Sequence, residues 1–491
     1  MATLDRDRHR AAPAADALAT FLADPDLRYF TLPGHKRSPL LAEDEPAIRY
    51  DAPGSVVWDP PGGILPPGFV NPQEQAEHLA ADLWGVDYAR FVVSGSTQGN
   101  LALMLAAGPP GSKVIIPRGA HKSLVAGLAL AGLEPVWIVP QLDVATGLPL
   151  GVTPAAVRAA LATHPDVSAI ALVEPSWLGL MGDVAAIAEI AHAHGIPLLV
   201  DHAWGAAFGF HPAMPPSVMR LGADAAITSI HKTLHAYTPG SLLMANSGVL
   251  DVERLERAFQ TLNTTSPAAP MIASLDTDRR DMALEGAALL DPVVRAAAMV
   301  RDRLSDIPGL VMVNPSWIDL PAVHAVDPTK LVLIMPGTGA DGFAIRADLW
   351  QQGIRLELVD RDSVIPLLTL GDQPGDAERL ADALHASLHR HAGPPRLPTA
   401  STTLWGLMPQ VGMSPRDAFF APAETVSLAD AVGRIAVETV VPYPPGVAAL
   451  APGEVVTPVV IDTLREVRDA GCRIAYCADP TLATLRVATR R

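Results

Sequence analysis

The sequence predicts an α/β protein whose main domain carries a mostly parallel sheet, and three observations predict it. Between about residues 80 and 245, helical stretches alternate with short apolar runs, the pattern of strand–helix–strand crossovers. The runs are bounded by caps, Gly and Pro rather than by hairpin turns. Polar residues follow two of the runs, Asp201 after one and Ser229, His231 and Lys232 after another. Strand ends are where open α/β sheets gather their ligands.

The elements follow in order. Gly95 to Asn100 open a helix through 101–106. Thr153-Pro154 gives an N-cap and a first-turn proline for an amphipathic helix that stops near His164-Pro165. Residues 168–173 then read as a buried strand. Residues 183–194 have helical apolar spacing and halt at Gly195, and 197–200 form a strand ending at Asp201. Residues 225–228 form the next strand, which delivers Ser229, His231 and Lys232.

A length of 491 residues suggests about three domains. The proline-rich stretch 391–400 is the clearest linker, and a second boundary lies near a helix over 291–303. The expected division is an N-terminal arm at 1–40, a large domain at 41–290, a small α/β domain at 291–392 and a C-terminal α+β domain at 401–491.

A net charge of −16 argues against a nucleic-acid-binding surface, which needs clustered Lys and Arg, and suits a cationic small molecule weakly. Two cysteines, Cys472 and Cys477, can build neither a disulfide framework nor a four-cysteine metal site, so reduced thiols in a cytoplasm are expected. The charged N-terminus does not resemble a signal peptide, and no apolar run reaches the roughly 20 residues of a membrane span.

An amine that forms an imine with an aldehyde cofactor needs a partly buried lysine, a phosphate cradle and an acid for the pyridine nitrogen. Lys232 lies 31 residues after Asp201, and both follow predicted strands. Gly95-Ser96-Thr97-Gln98-Gly99-Asn100 brings small and hydroxyl residues to a helix start, where free N–H groups favour phosphate. Alone, that segment reads more readily as an ordinary Ser/Thr N-cap.

Together these segments resemble the Orn/Lys/Arg decarboxylase family of fold-type I (aspartate aminotransferase-like) pyridoxal-phosphate enzymes. The similarity begins with Phe30-Thr31-Leu32-Pro33-Gly34-His35-Lys36, continues through the loop at Ser96 and Gly119-Ala120-His121-Lys122-Ser123, and takes in Asp201-His202-Ala203-Trp204 and Ser229-Ile230-His231-Lys232. Thr264-Thr265-Ser266-Pro267, Asp327-Pro328-Thr329-Lys330, Pro442-Tyr443-Pro444-Pro445-Gly446 and Pro452-Gly453-Glu454 extend it to the C-terminal part. The compact length is similar to the short, Bacillus-type arginine decarboxylases.

The resemblance implies that Lys232 holds pyridoxal 5'-phosphate as a Schiff base, that Asp201 pairs with the pyridinium nitrogen and that His121 stacks on the ring. It implies that Ser96, Thr97, Gln98, Ser229 and His231 hold the phosphate or the polar edge, with Trp204 in the same set. Thr264 and Ser266 would reach the site of a second copy in a homodimer or larger homo-oligomer. The implied reaction is decarboxylation of a basic amino acid, arginine before lysine or ornithine, of the kind that serves polyamine biosynthesis. The proton returned to the α-carbon would come from Lys232 or His231. Glu424, Glu438, Glu454 and Asp479 are candidates, by position, for the acid that meets the substrate's far cation.

Two alternatives remain at this stage, another fold-type I reaction such as transamination or aldol cleavage, and a non-catalytic member of the fold. The chain departs from the Bacillus-type pattern at Asp201-His202-Ala203-Trp204, where the longer lysine decarboxylases share the tryptophan, at Pro175-Ser176-Trp177 and at Ala268-Ala269, which leaves substrate identity more open than reaction class. Gly337-Thr338-Gly339-Ala340-Asp341-Gly342 fits a dinucleotide fingerprint by spacing but lies far beyond the Lys232 region. His231 and His235 are spaced like zinc ligands without the glutamate or third ligand of such a site, so no metal is expected.

Overall fold

The computed structural model describes residues 4–24, 30, 32–38, 43, 46–52, 54–57, 70–398, 401–443 and 446–490. Thr31, Pro444 and Pro445 of the family segments, and the 40/41 boundary, lie outside them.

Seven strands form the central sheet: β1 (Tyr88–Val92), β2 (Lys113–Pro117), β3 (Glu134–Ile138), β4 (Val167–Val173), β5 (Leu198–Asp201), β6 (Ala225–Thr228) and β7 (Ser241–Ala245). Their spatial order is β3-β2-β4-β5-β6-β7-β1, and only β7 runs antiparallel to its neighbours. Alternation along each strand explains why both faces are covered. Ile115, Ile170, Leu198, Val200, Leu242 and Met244 face one core, while Val114, Ile116, Leu199, Ile227 and Leu243 face the other.

Helices cover both faces. They include α1 (Pro13–Ala23), α2 (Pro72–Trp84), α3 (Gly95–Ala106), α4 (Lys122–Ala131), α5 (Pro154–Thr163) and α6 (Val184–Ala193). Short side chains fix where several of them start. Thr153 Oγ1 accepts from Ala156 N at 3.1 Å and Asp183 Oδ1 from Ala186 N at 3.0 Å, a cap whose loss costs about 1 kcal/mol. The single turn α7 (Ile230–Thr233) follows β6, and α8 (Val252–Leu262) follows β7.

The 35-residue helix α9 (Ala269–Arg303) links two cores. Its Leu290 packs in the large-domain core and its Val293 in the next, with Pro292 between them. The boundary expected near 291 therefore falls inside one continuous helix. Arg279 on α9 donates to the carbonyls of His9 and Ala11, and Asp276 accepts from Ala14 N at 2.9 Å, which ties α1 down.

Beyond α9, a four-stranded antiparallel sheet of Val311–Met312, Leu333–Ile334, Ser363–Ile365 and Leu358–Val359 packs on α10 (Gly342–Gln351) and α11 (Asp376–Arg390). The glycine-rich segment before α10 is a packing feature. A Cβ at Gly337 would run into the carbonyl of Gly309.

The C-terminal region pairs Ala423–Ser427 with Thr484–Ala488 and Val441–Tyr443 with Arg473–Ala475, each antiparallel, around its own core. It is joined to the large domain by Arg118 and Glu454, 0% and 1% exposed, which form a two-pronged ion pair. No described helix is long and apolar enough to cross a membrane.

Candidate active site

The C-terminal ends of β5 and β6 open into a cavity of about 350 Å³. Each wall comes from a different stretch of the chain. The start of α3 supplies Ser96, Thr97 and Asn100; the segment before α4 supplies His121; β5 supplies Asp201 and, just beyond, Trp204. The turn after β6 adds Ser229, His231 and Lys232. Glu357 reaches in from the small domain and Tyr443 from the C-terminal region.

Asp201 is 3% exposed, yet both oxygens have partners. Oδ2 accepts from Asn100 Nδ2 at 2.7 Å and Oδ1 from Ala203 N at 3.2 Å. Asn100 Nδ2 also donates to Ser123 Oγ at 2.9 Å, and Ser123 Oγ lies 2.6 Å from His121 Nδ1. Since the Ser123 N–H is also directed at His121 Nδ1, at 3.3 Å, that nitrogen is an acceptor and the ring proton sits on Nε2. Burial lowers the His121 pKa, Asp201 opposes the shift, and Lys232 and Lys122 add to it. The ring is therefore neutral near pH 7.

Hydroxyl groups line the end of the cavity at the start of α3. Ser96 Oγ lies 2.7 Å from Ser229 Oγ and 3.4 Å from Ser241 Oγ. Thr97 stands beside them at the N-terminus of α3, where unpaired N–H groups and the helix dipole attract an anion.

The Lys232 ammonium has its pKa pushed down by burial, while Asp201 and Glu357 pull it back up. Its Nζ lies 4.2 Å from the Trp204 ring centroid. His231 Nδ1 is 2.8 Å from the Gly240 carbonyl, which can only accept, so Nδ1 carries the proton. Burial lowers the His231 pKa too, with the Gly240 bond opposing and Lys232 adding to the fall. Its Nε2 is left with a lone pair.

The structure brings Lys232, Asp201, His121, His231, Ser96, Thr97, Ser229 and Trp204 together and leaves three expected residues outside the cavity. Gln98 is buried and turns its Nε2 towards Asn263 Oδ1 at 3.4 Å. Thr264 and Ser266 are exposed.

None of the four positional candidates for the distal acid lines the cavity. Glu454 is consumed by Arg118, and Glu424 pairs with Arg434. Glu438 accepts from Ala478 N and Arg486 N, and Asp479 caps the turn at Thr481 and Thr484. Besides Asp201 the acid that lines it is Glu357, an exposed residue whose carboxylate has no hydrogen-bond donor among the described residues. Sequence reasoning missed Glu357 and also Asn100 and Ser123, whose bonds span segments far apart in the chain.

Among the described residues no group of three His, Cys, Asp or Glu is arranged to hold a metal ion. His235 faces Asp278 at 3.6 Å, away from His231. His192 pairs with Asp224 at 2.9 Å.

Two family models match the chain, the Orn/Lys/Arg decarboxylase major domain over residues 69–376 and the C-terminal domain over 399–473. The chain belongs to the Orn/Lys/Arg decarboxylase family. It is 33% identical over 468 residues to an arginine decarboxylase of Bacillus subtilis, across 93% of this chain and 94% of the relative. It is also 33% identical over 470 residues to an arginine decarboxylase of Halalkalibacterium halodurans, with 93% and 94% covered. In fold it matches the lysine decarboxylase of Francisella novicida with a TM-score of 0.80 at 18% identity, across 98% of this chain and 82% of that one. That likeness concerns the fold alone. Family membership makes the protein a decarboxylase with a fold-type I architecture.

Proposed function

We propose that this decarboxylase acts on a basic amino acid, arginine first with lysine and ornithine as the alternatives, using pyridoxal 5'-phosphate held by Lys232. The observation that carries the reading is the convergence, in one cavity, of an amine, a buried acid, a hydroxyl-lined helix start and an acid with no partner of its own. The residues fit the cofactor. A pyridinium N–H would find Asp201 already oriented by Asn100, and a phosphate would find Ser96, Thr97, Ser229 and the free N–H groups of α3.

When bound, pyridoxal phosphate supplies an electron sink for the pair released as the bond to the α-carboxylate breaks. The chain's own residues do the rest. His121, neutral, offers a flat face without adding charge. Asp201 would hold a proton on the ring nitrogen. Burial raises the neutral fraction of Lys232, the form able to attack an aldehyde.

The α-carbon must then receive a proton. Neutral His231 donates its one N–H to Gly240 and has only an accepting Nε2 to offer. Lys232 is therefore the donor. Trp177, Trp204 and Tyr443 shield the reacting bond from water.

Glu357 takes the distal cation of the substrate, because a side chain with a positive end pairs with the one unpaired carboxylate of the cavity wall. Exposed Thr264 and Ser266 fit a pairing of two copies in which they complete the partner's site. Loading the purified chain with pyridoxal phosphate tests the reading. An absorbance band near about 420 nm is expected, and Lys232→Ala should abolish it.

A further inference from the structure

Only five lysines occur among 491 residues, and two of them converge on one indole. Lys330 Nζ lies 3.3 Å from the Trp204 ring centroid and Lys232 Nζ 4.2 Å from the same centroid. Lys330 is 3% exposed, and its Nζ has no hydrogen-bond partner among the described residues. A buried, unpartnered ammonium is costly unless something offsets it. The face of an indole is one such offset, worth most when the cation is dry.

The chain builds this arrangement deliberately. The stem of Lys330 lies against the backbone at Gly179, where an added Cβ would come within 2.7 Å of Lys330 Cβ. Asp327 N bonds to the Gly179 carbonyl at 2.8 Å, and Arg301 on α9 grips the Lys330 carbonyl at 2.7 Å. The Lys330 side chain is thus aimed at the indole from behind the cavity wall.

We propose that Lys232 and Lys330 share one positive charge on the Trp204 ring, so that Lys330 is a positioning residue that becomes charged when Lys232 loses its charge. With Lys232 free and protonated, Lys330 is held towards its neutral form. When the Lys232 amine gives up its proton to solvent, Lys330 takes one up from solvent. One cation therefore stays on the indole through both states of Lys232 and keeps its ring in place. The inference rests on the reading that Lys232 is the reacting amine.

The surrounding charges agree with this exchange. Burial pushes the Lys330 pKa down to about 7, Asp327 and Glu357 act to raise it, and Lys232 lowers it further. Asp327 lies on Lys330's own segment, Lys232 on α7 and Glu357 ahead of strand Leu358–Val359. Arg301 on α9 is engaged with backbone carbonyls, and Glu174, at the start of the segment that carries Gly179, accepts from Gly182 N at 3.0 Å. Two like charges near one ring repel each other through protein rather than water, and the coupling must be equal in both directions.

The experiment is a pH titration by NMR of the full, cofactor-free chain carrying 13Cε-labelled lysine, in which five signals are assigned by substitution. Wild type is compared with Lys232→Ala, Lys232→Met and Lys232→Arg, with circular dichroism to check folding. In Lys232→Ala, or in Lys232→Met should the alanine variant not fold, the Lys330 midpoint should rise by about one unit or more, a tenfold change in its protonation equilibrium. Lys232→Arg, which keeps the charge, should hold it near the wild-type value. A Lys330 midpoint that stays within about 0.2 unit of wild type in either uncharged variant overturns the proposal. Failure of Lys232 to bind pyridoxal phosphate would instead count against the functional reading, since no cofactor enters this titration.

Discussion

Asn100 Nδ2 donates a 2.7 Å hydrogen bond to Asp201 Oδ2, from inside the same helix start that presents hydroxyls to the cavity. One helix thus orients the acid and forms the anion seat. Through Ser123 the same amide reaches His121. Replacing Asn100 by Ala leaves a buried carboxylate one charge-assisted bond short, a loss of about 1.5–3 kcal/mol. Spectroscopic titration should find pyridoxal phosphate bound about 10–100-fold more weakly.

Glu357→Gln removes the charge proposed to meet the substrate's far end and alters none of the proposed cofactor contacts. The expected result is a fall of about 10–100-fold in kcat/KM for a basic amino acid, carried mainly by KM, because the contact is made equally before and during bond breaking. Steady-state kinetics on arginine, lysine and ornithine measures it. The absorbance of the bound cofactor should not change.

The Arg118–Glu454 pair sits where the C-terminal region meets the large domain, and neither partner touches water. Arg118→Leu strands a buried carboxylate and should destabilise the protein by about 3–5 kcal/mol. Removing both charges, with Arg118→Leu and Glu454→Leu together, should recover much of that loss. Thermal unfolding of the single and double variants gives the comparison.

Glu174 and His202 give the fold a pH dependence of definite sign. Burial raises the Glu174 carboxyl to about 8 from an ordinary 4.5, so its contribution is whole at low pH and is lost as pH rises through about 8. Burial lowers His202 to about 4 from 6.5, so its contribution is whole above 6.5 and is lost as pH falls towards 4. Between pH 6.5 and 8, of these two only Glu174 tilts the curve, and other buried groups titrate in the same window, Lys330 in the opposite sense and Glu77 and Asp278 in the same one. Relative to Glu174→Gln, which keeps an acceptor for Gly182 N, wild type should lose melting temperature as pH rises across that window.

Much of the fold and half of the site were legible in the sequence because their signals are local. Alternating apolar runs specify β4, β5 and β6, caps at Thr153 and Asp183 specify helix starts, and Asp201 and Lys232 announce themselves at strand exits. Asn100 belonged to a legible segment, but its partners Asp201 and Ser123 come from other strands' ends. Lys330 was visible only as one of five lysines, in the segment Asp327-Pro328-Thr329-Lys330.

Glu357 was harder to find, since a single acid between Leu356 and Leu358 reads as the polar face of a short strand. The search for a distal acid went to the C-terminal region, where each acid had a nearer use in an ion pair or a turn. Acids are numerous on a chain with 52 of them. Only tertiary structure tells which of them lines the cavity.

The central claim is that Lys232 anchors decarboxylation of a basic amino acid, and the release of carbon dioxide tests it most directly. The chain loaded with pyridoxal phosphate should convert carboxyl-labelled arginine, lysine or ornithine to labelled carbon dioxide and the matching amine in equal amounts, and Lys232→Ala should release neither. Formation of keto acid without carbon dioxide, or undiminished release from Lys232→Ala, would contradict it.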